Sequence, residues 1–221
     1  MSPREAAALF AAAGIATAPV CAVGGESDAV DRWRHWSRPV MLKGDVHGVV
    51  HKTRAGAVLG PLDTAGGVAS AYRTLCSRFE NLRGVIVQPQ QTGTGPELLA
   101  GIAADPVYGP LITIGLGGIH TDLLDDPAHY LAPATEGEVD DLLARLRASR
   151  GLFTGTAGTG LRDQLREVVA GLSWLATHHP ELAEAEINPL IPTERGLIGV
   201  DARVRLAPRT VSDPWLRTLP A

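Results

Sequence analysis

Two short segments, Glu186-Ile187-Asn188-Pro189-Leu190 and Asp201-Ala202-Arg203, carry the strongest indication of the fold. Acidic residues stand next to an amide over 184–190, and the proline is expected to end that segment. Residues 197–200 are apolar and predict a short strand that presents Asp201 at its end. The turn-forming residues 192–196 predict a hairpin, which would bring Glu186, Asn188 and Asp201 close together.

The oxygen-bearing side chains at this hairpin suit Mg²⁺. This hard cation takes oxygen ligands, keeps several waters and is often shared with substrate phosphates. An ordinary hairpin with polar ends would explain the same spacing. The remainder of the chain therefore has to decide between a metal site and a plain turn.

Composition limits the classes of function. The chain has 221 residues, of which 45% are hydrophobic and 20% charged, as in a globular protein. The net charge of −4 gives no electrostatic reason to expect nucleic acid or an anionic membrane as partner. Cys21 and Cys76 are far apart and fit a reducing cytoplasm. The apolar run over residues 6–23 is interrupted by Gly14 and Pro19, so a signal peptide or membrane span is not expected.

Local signals predict a mixture of helices and strands. Ser2 as N-cap, Pro3 in the first turn, Glu5 in a capping box and Gly14 at the end predict an N-terminal helix. Further helices are predicted at 26–36, 64–78, 136–149 and 161–178, and strands at 17–23, 39–43, 46–50, 57–60, 84–88, 97–102 and 111–114. Because the elements alternate irregularly and include hairpins, we expect an α+β (mixed α/β) fold and not a doubly wound parallel sheet.

Two lysines are candidates for binding phosphate. Lys43 ends a predicted strand and Lys52 lies in a glycine-containing turn, although solvated surface lysines would look the same. His51 beside Lys52 is a candidate nucleophile or phosphate contact. His47 stands four residues from His51, but without a third ligand nearby a zinc site is not favoured.

The glycines of Gly115-Leu116-Gly117-Gly118 match neither the GxGxxG pattern nor a Walker A motif. Gly117 and Gly118 would either let the backbone approach a phosphate or form a tight turn. Gln88 at the end of one predicted strand and Glu97 at the start of the next could bond an adenine amine and a ribose hydroxyl.

Together and in this order, the motifs make the chain resemble the ATP-grasp half, or β-subunit type, of the NDP-forming acyl-CoA synthetases. That family includes succinyl-CoA synthetase and ADP-forming acetyl-CoA synthetase. The resemblance covers residues 3–206. It rests on Ala13-Gly14-Ile15, Leu42-Lys43, His51-Lys52-Thr53, Val87-Gln88, Gly95-Pro96-Glu97-Leu98-Leu99-Ala100-Gly101, Asp105-Pro106-Val107-Tyr108-Gly109-Pro110, Gly115-Leu116-Gly117-Gly118-Ile119 and the two segments quoted first.

The resemblance implies a two-lobed ATP-grasp unit over 1–221. The first lobe would span 17–86 and the second 87–206, with helix 3–14 packed on it and a tail at 207–221. The implied site residues are Lys43 for nucleotide phosphates; Gln88 and Glu97 for adenosine; Asn188 and Asp201, supported by Glu186, for Mg²⁺; and Arg203 facing the phosphates with His51 as a second phosphate carrier. Lys52, Gly117 and Gly118 join the nucleotide-binding residues as the candidate phosphate contacts named above.

The resemblance also implies a reaction and partners. The chain would bind MgATP and a carboxylate and act as an acid-thiol ligase through an acyl phosphate and a phosphohistidine. An α-type chain would supply CoA binding, and a homodimer is a further expectation. Arg54, Ala57 and Asp122 depart from the family's usual residues. They leave one alternative, a decayed nucleotide-binding or interaction module. The family's CoA-binding domain is not in this sequence, which leaves another, a stand-alone carboxylate–amine ligase.

Overall fold

The computed structural model describes residues 1–49, 52–118, 127–146 and 155–208. The chain divides into two compact units. The smaller is the continuous segment Ala18–Gln91, and the larger combines Met1–Thr17 with Thr92–Ala221. None of the helices within the described ranges is long and apolar enough to cross a membrane.

The smaller unit is a four-stranded antiparallel sheet with two helices. Its strands, in the spatial order β1-β4-β2-β3, are β1 (Cys21–Val23), β2 (Val40–Val46), β3 (Val58–Leu62) and β4 (Leu82–Pro89). Its helices are α2 (Glu26–Trp36) and α3 (Ala65–Arg78). Residues of both helices and the sheet, including Ala29, Leu42 and Leu75, form one buried core.

The larger unit is a six-stranded antiparallel sheet with three described helices. The strands are β5 (Leu98–Asp105), β6 (Gly109–Leu116), β7 (Ala128–Leu131), β8 (Leu182–Thr193), β9 (Gly196–Gly199) and β10 (Ala202–Leu206). They follow the order β10-β8-β5-β6-β7, and β9 pairs with β8. The helices are α1 (Pro3–Ala12), α4 (Glu136–Arg145) and α5 (Gly155–His178). A second core joins all three helices to one face of this sheet.

The two parts of the larger unit meet beside β9. Thr17 forms an isolated parallel bridge with Gly199. The Gly199 N–H donates to the Ala16 carbonyl oxygen at 2.8 Å. These bonds tie the chain that leaves α1 to the hairpin that ends near the predicted metal ligands.

The local helix signals were reliable. The Ser2 hydroxyl accepts the Glu5 N–H at 3.3 Å, and the Glu5 carboxylate accepts the Ser2 N–H at 2.8 Å, which completes the predicted capping box. Helix α2 has the predicted bounds, and Thr64 caps α3. The α+β class is confirmed, since both sheets are antiparallel throughout their strand ladders.

Several boundaries differ from the predictions. Strand β8 does not end at Pro189 but continues to Thr193, and the hairpin turn comprises only Glu194 and Arg195. The β8–β5 ladder is irregular here, between Leu98 and Ala100, and such irregularities tolerate a residue without an N–H. The chain after Asp201 forms a further strand, β10, that was not predicted.

Other differences concern length. Residues 47–49 form no strand, contrary to the prediction for 46–50; Val46 instead ends β2, and Val50 lies outside the described residues. Helix α5 begins at Gly155, six residues before its predicted start. The start of this helix was missed because its glycines and threonines give no apolar periodicity.

Candidate functional site

One end of the larger sheet gathers most of the predicted site residues of that unit. Glu97 immediately precedes β5, while Gly117 and Gly118 immediately follow β6. Because β5 and β6 are antiparallel, with Leu98 opposite Leu116, these residues lie at the same end. Asn188 stands in β8 beside β5, and Asp201 directly precedes β10.

Hydrogen bonds link these segments into one constellation. The Gly118 N–H donates to Asn188 Oδ1 at 2.9 Å. The Asn188 N–H donates to the Asp201 carbonyl oxygen at 3.0 Å, and the Gly117 N–H donates to the Glu97 carbonyl oxygen at 2.8 Å. Five predicted positions are therefore joined by backbone and side-chain bonds among themselves.

Glu186 and Arg203 lie on the sheet face that points away from the helices. They are register partners in β8 and β10 and alternate with core residues such as Ile187 and Val204. The next partner in the same row is Gly101, where an added Cβ would approach the Ala185 carbonyl oxygen to 2.8 Å. Beside Glu186, this face of the sheet is therefore formed by the backbone of Gly101, which has no side chain.

The same row extends to a polar pair that the sequence interpretation missed. Gly101 is opposite Thr113 in β6, and Thr113 is opposite His129 in β7. Thr113 Oγ1 and His129 Nδ1 are 2.8 Å apart. Alternation with the buried Ile112 and Ile114 could have assigned Thr113 to this face, but the pairing with His129 depends on the register of β7.

Lys43, Lys52 and Gln88, the described site residues predicted in the smaller unit, occupy buried or half-buried positions. Lys43 in β2 is only 5% exposed, so it is not a solvated surface lysine. Gln88 in β4 is 1% exposed; its Nε2 donates to the Ala18 carbonyl oxygen at 3.5 Å. Within the described parts of the chain, Gln88 Oε1 is the buried side-chain polar atom that has no hydrogen-bond partner.

Lys52 and its neighbours form a compact turn. Lys52 is half-buried, and its carbonyl oxygen accepts the Ala57 N–H at 2.8 Å. Ala57 is fully buried, and its own carbonyl oxygen accepts the Gly44 N–H at 2.8 Å. His51 and the departure at Asp122 lie outside the described residues.

The glycines of the β6 end contact protein closely. A Cβ on Gly117 would lie 2.2 Å from the Leu98 carbonyl oxygen, and one on Gly118 would lie 1.8 Å from Glu97 Oε2. Gly118 also has a φ of +63°, which a glycine adopts readily. These contacts are those of a tight turn, and a role in binding nucleotide phosphates stays a prediction for both residues.

The candidate metal donors at this sheet end and on the adjoining face are oxygen-based. Glu186 and Asp201 offer carboxylates and Asn188 offers an amide oxygen, which is the chemistry that Mg²⁺ accepts. No group of three or more His, Cys, Asp or Glu side chains within the described ranges is arranged to hold a metal ion. A metal at this end would therefore rely on the amide as well as on the two acids.

Comparison with known families decides the relationship. The sequence model of a family described as "ATP-grasp domain" matches residues 1–206. The chain belongs to the ATP-grasp family. The resemblance inferred from the motifs is thereby confirmed, and the mixed helix and sheet structure is an ATP-grasp fold.

Two curated relatives are ADP-forming acetate–CoA ligases, which this ATP-grasp chain matches over different shares of their length. It is 31% identical over 91% of its length to "Acetate–CoA ligase [ADP-forming] I" of Archaeoglobus fulgidus, but spans only 30% of that relative. It is 29% identical to "Acetate–CoA ligase [ADP-forming] I subunit beta" of Pyrococcus furiosus, with 82% of this chain and 81% of the relative covered.

A solved structure has the same fold. The ATP-grasp chain superposes with a TM-score of 0.78 and 26% identity on acetyl-coenzyme A synthetase 1 of Ca. Korarchaeum cryptofilum. The match covers 94% of this chain and 92% of that one. That structure is a complex with coenzyme A and Mg-AMPPCP, with its phosphohistidine segment pointing towards the nucleotide-binding site.

Proposed function

We propose that this chain is the ATP-grasp part of an ADP-forming acyl-CoA ligase. It binds MgATP and a carboxylate, and an α-type chain supplies the CoA-binding domain. The observation that carries the proposal is the convergence of Glu97, Gly118, Asn188 and Asp201 at one sheet end, in a chain similar to most of a β subunit.

Two features of the chain fit the molecules it would bind. The buried Gln88 Oε1 is an acceptor without a donor, and an adenine amino group would satisfy it. The oxygens of Glu186, Asn188 and Asp201 fit Mg²⁺, which would supply charge neutralisation at the phosphates. Arg203 lies on the same face as Glu186 and would add a positive charge there.

The proposed route transfers one phosphoryl group twice before CoA reacts. A histidine nitrogen attacks the γ-phosphorus of ATP and ADP leaves. The substrate carboxylate takes the phosphoryl group from the phosphohistidine, which gives an acyl phosphate and restores the histidine. The CoA thiolate then attacks the acyl carbon and phosphate leaves. His51 is the histidine of this chain proposed to relay phosphate, and Lys43 and Lys52 would neutralise phosphate charge.

Calorimetric titration with ATP, with and without Mg²⁺, tests the first part of the proposal. We expect Mg²⁺-dependent binding that Asp201→Ala abolishes, because the substitution removes a carboxylate ligand. Glu194→Ala removes an exposed acid from the turn of the same hairpin and should leave binding unchanged. Equal Mg²⁺ dependence in the wild type and Asp201→Ala would contradict the proposed metal position.

The chemistry needs a separate measurement. γ-Labelled ATP should transfer label to the protein as an acid-labile, base-stable phosphohistidine, and His51→Ala should prevent it. Carboxylates with hydroxylamine should then yield hydroxamates through the acyl phosphate. MgATP binding without labelling or hydroxamate formation would instead indicate a nucleotide-binding module. Product formed with amines but not with CoA and an α-type chain would indicate a carboxylate–amine ligase.

A further inference from the structure

Gly118 touches two of the predicted site residues from different sides. Its N–H donates to Asn188 Oδ1 at 2.9 Å. The Glu97 carboxylate occupies the space that a side chain at Gly118 would need. We propose that Gly118 is a positioning residue that couples the nucleoside-binding Glu97 to the metal-binding Asn188. This inference rests on the proposed function, since it assigns a role within the same site.

The position requires glycine for two independent reasons. The backbone φ of +63° lies in the left-handed region that other residues adopt at a cost. An added Cβ would also lie 1.8 Å from Glu97 Oε2 and 3.0 Å from Glu97 Cδ. Because the carboxylate is the end of a flexible side chain, an alanine would displace it and so move Glu97 away from its present position.

The hydrogen bond to Asn188 fixes the direction of a metal ligand. An amide oxygen has two lone pairs, so Asn188 Oδ1 can accept the Gly118 N–H and still coordinate a cation. The Asn188 N–H is held as well, by the Asp201 carbonyl oxygen at 3.0 Å. Contacts of this outer kind orient metal ligands, and their loss typically lowers metal affinity by roughly 10–100-fold.

Gly117 keeps Gly118 in place. Its N–H donates to the Glu97 carbonyl oxygen at 2.8 Å, and an added Cβ would lie 2.2 Å from the Leu98 carbonyl oxygen. The turn after β6 is thus pressed against the start of β5. A shift of Glu97 is transmitted through this turn to Asn188, so nucleoside and Mg²⁺ should strengthen each other's binding, and the coupling must be reciprocal.

The test measures the coupling itself in the full chain. ATP affinity is determined by calorimetry at saturating Mg²⁺ and in EDTA, and the ratio of the two dissociation constants is the coupling factor. Gly118→Ala should lower this factor by roughly tenfold or more. Gly14→Ala is the matched control, because Gly14 has a φ of +79° and nothing lies within 4 Å of an added Cβ. It should retain the wild-type factor.

A second variant distinguishes an effect on the contact between Gly118 and Glu97 from general damage to the fold. In a Glu97→Ala background, Gly118→Ala no longer meets the carboxylate, so its effect on the apparent Mg²⁺ affinity should shrink. This pair also serves if Gly118→Ala alone fails to fold. An undiminished effect in that background, or a wild-type factor in Gly118→Ala, would overturn the inference. No Mg²⁺-dependent ATP binding by the wild type would overturn the proposed function, and the inference with it.

Discussion

Gln88 in the smaller unit combines burial with an unpaired polar atom. It is 1% exposed, and its Oε1 has no hydrogen-bond partner among the described residues. An unpaired buried acceptor costs about 1–3 kcal/mol, because its hydration is lost without replacement. A protein that retains such a group at a strand end gains if a ligand supplies the donor.

Gln88→Leu should therefore separate stability from binding. The free energy of unfolding should stay level or rise by about 1 kcal/mol, because the unpaired oxygen is removed and the bond lost to Ala18 is a long one, 3.5 Å. ATP affinity should fall by roughly tenfold, the worth of about one hydrogen bond. Urea unfolding and calorimetry measure the two effects.

Gln91→Leu provides the comparison. Gln91 Nε2 donates to the Pro89 carbonyl oxygen at 3.0 Å, so this variant should lose stability without losing ATP affinity. A loss of stability in Gln88→Leu larger than in Gln91→Leu would show that Gln88 Oε1 is paired in solution.

The sequence predicted local pairs better than it predicted distant contacts. The paired residues of the capping box at Ser2 are visible in the sequence because they lie within a few positions of each other. The bond between Gly118 and Asn188 spans 70 positions and exists only through the registers of β5, β6 and β8. Sequence spacing carries no information about such registers.

At the scale of one element, helix α5 contains two glycines that should respond in opposite ways. A Cβ on Gly171 would lie 2.4 Å from the Ala13 carbonyl oxygen, a backbone atom that cannot easily yield. Gly171→Ala should therefore destabilise the protein by about 1–3 kcal/mol despite the better helix propensity of alanine. Urea unfolding of the variant measures the change.

Gly160→Ala is the matched substitution in the same helix. Nothing lies within 4 Å of its added Cβ, so only the backbone-entropy gain remains and stability should rise by about 0.5–1 kcal/mol. A gain in stability from both substitutions would contradict the close approach of α5 to the end of α1.

The start of helix α4 predicts a dependence on pH. Glu138 accepts hydrogen bonds from the Tyr130 hydroxyl and from the N–H and hydroxyl of Thr135. These donors, the Tyr130 hydroxyl foremost, lower the pKa of Glu138 from 4.5 to about 2. Because the folded pKa is the lower one, the stabilisation is present above pH 4.5 and is lost as the pH falls towards about 2.

Glu138→Gln should accordingly be less stable than the wild type at neutral pH. The difference should narrow through about pH 3 and vanish only below about pH 2, where the wild-type carboxyl is mostly protonated as well. Urea titrations across that range record it, with Glu194→Gln in the exposed β8–β9 turn as a control. A difference in stability that persists at the lowest pH would rule out the Glu138 carboxylate as its cause.

Elements were predictable where their signals are local. Helices α1 and α2 were located from caps and periodicity within one segment. Strand β10 was missed because its alternation of Ala202 and Val204 with arginines is too short to stand out, and its stability comes from pairing with β8. The extension of β8 beyond Pro189 likewise depends on its neighbours β5 and β9.

At the scale of the whole molecule, each unit has a core of its own. The core around Leu42 draws only on residues between Ala18 and Gln91, a continuous segment. We predict that residues 18–91 expressed alone fold cooperatively, with a dispersed amide NMR spectrum. Leu42→Ala should abolish that folding, since it costs about 2–5 kcal/mol, comparable to the stability of a small domain.

The NMR spectra show whether the smaller unit folds by itself or needs the larger unit. An undispersed spectrum of the isolated segment would show that the smaller unit needs the larger one. Dispersed spectra for both the wild-type segment and Leu42→Ala would instead show that this core is more stable than its size suggests. Val30→Ala, at a half-buried position of α2, should leave the segment folded.

The bridge between Thr17 and Gly199 joins two segments that the ribosome synthesises far apart in time. The ribosome releases the N-terminus first, but the partners of α1 lie in α5 and in the strands around Gly199. The smaller unit can finish folding while translation of the remainder continues. Phe10 and Ala6 are buried in the finished protein but have no packing partners during this time. The apolar face of helix α1 is thus exposed until α5 and the strands around Gly199 have been synthesised.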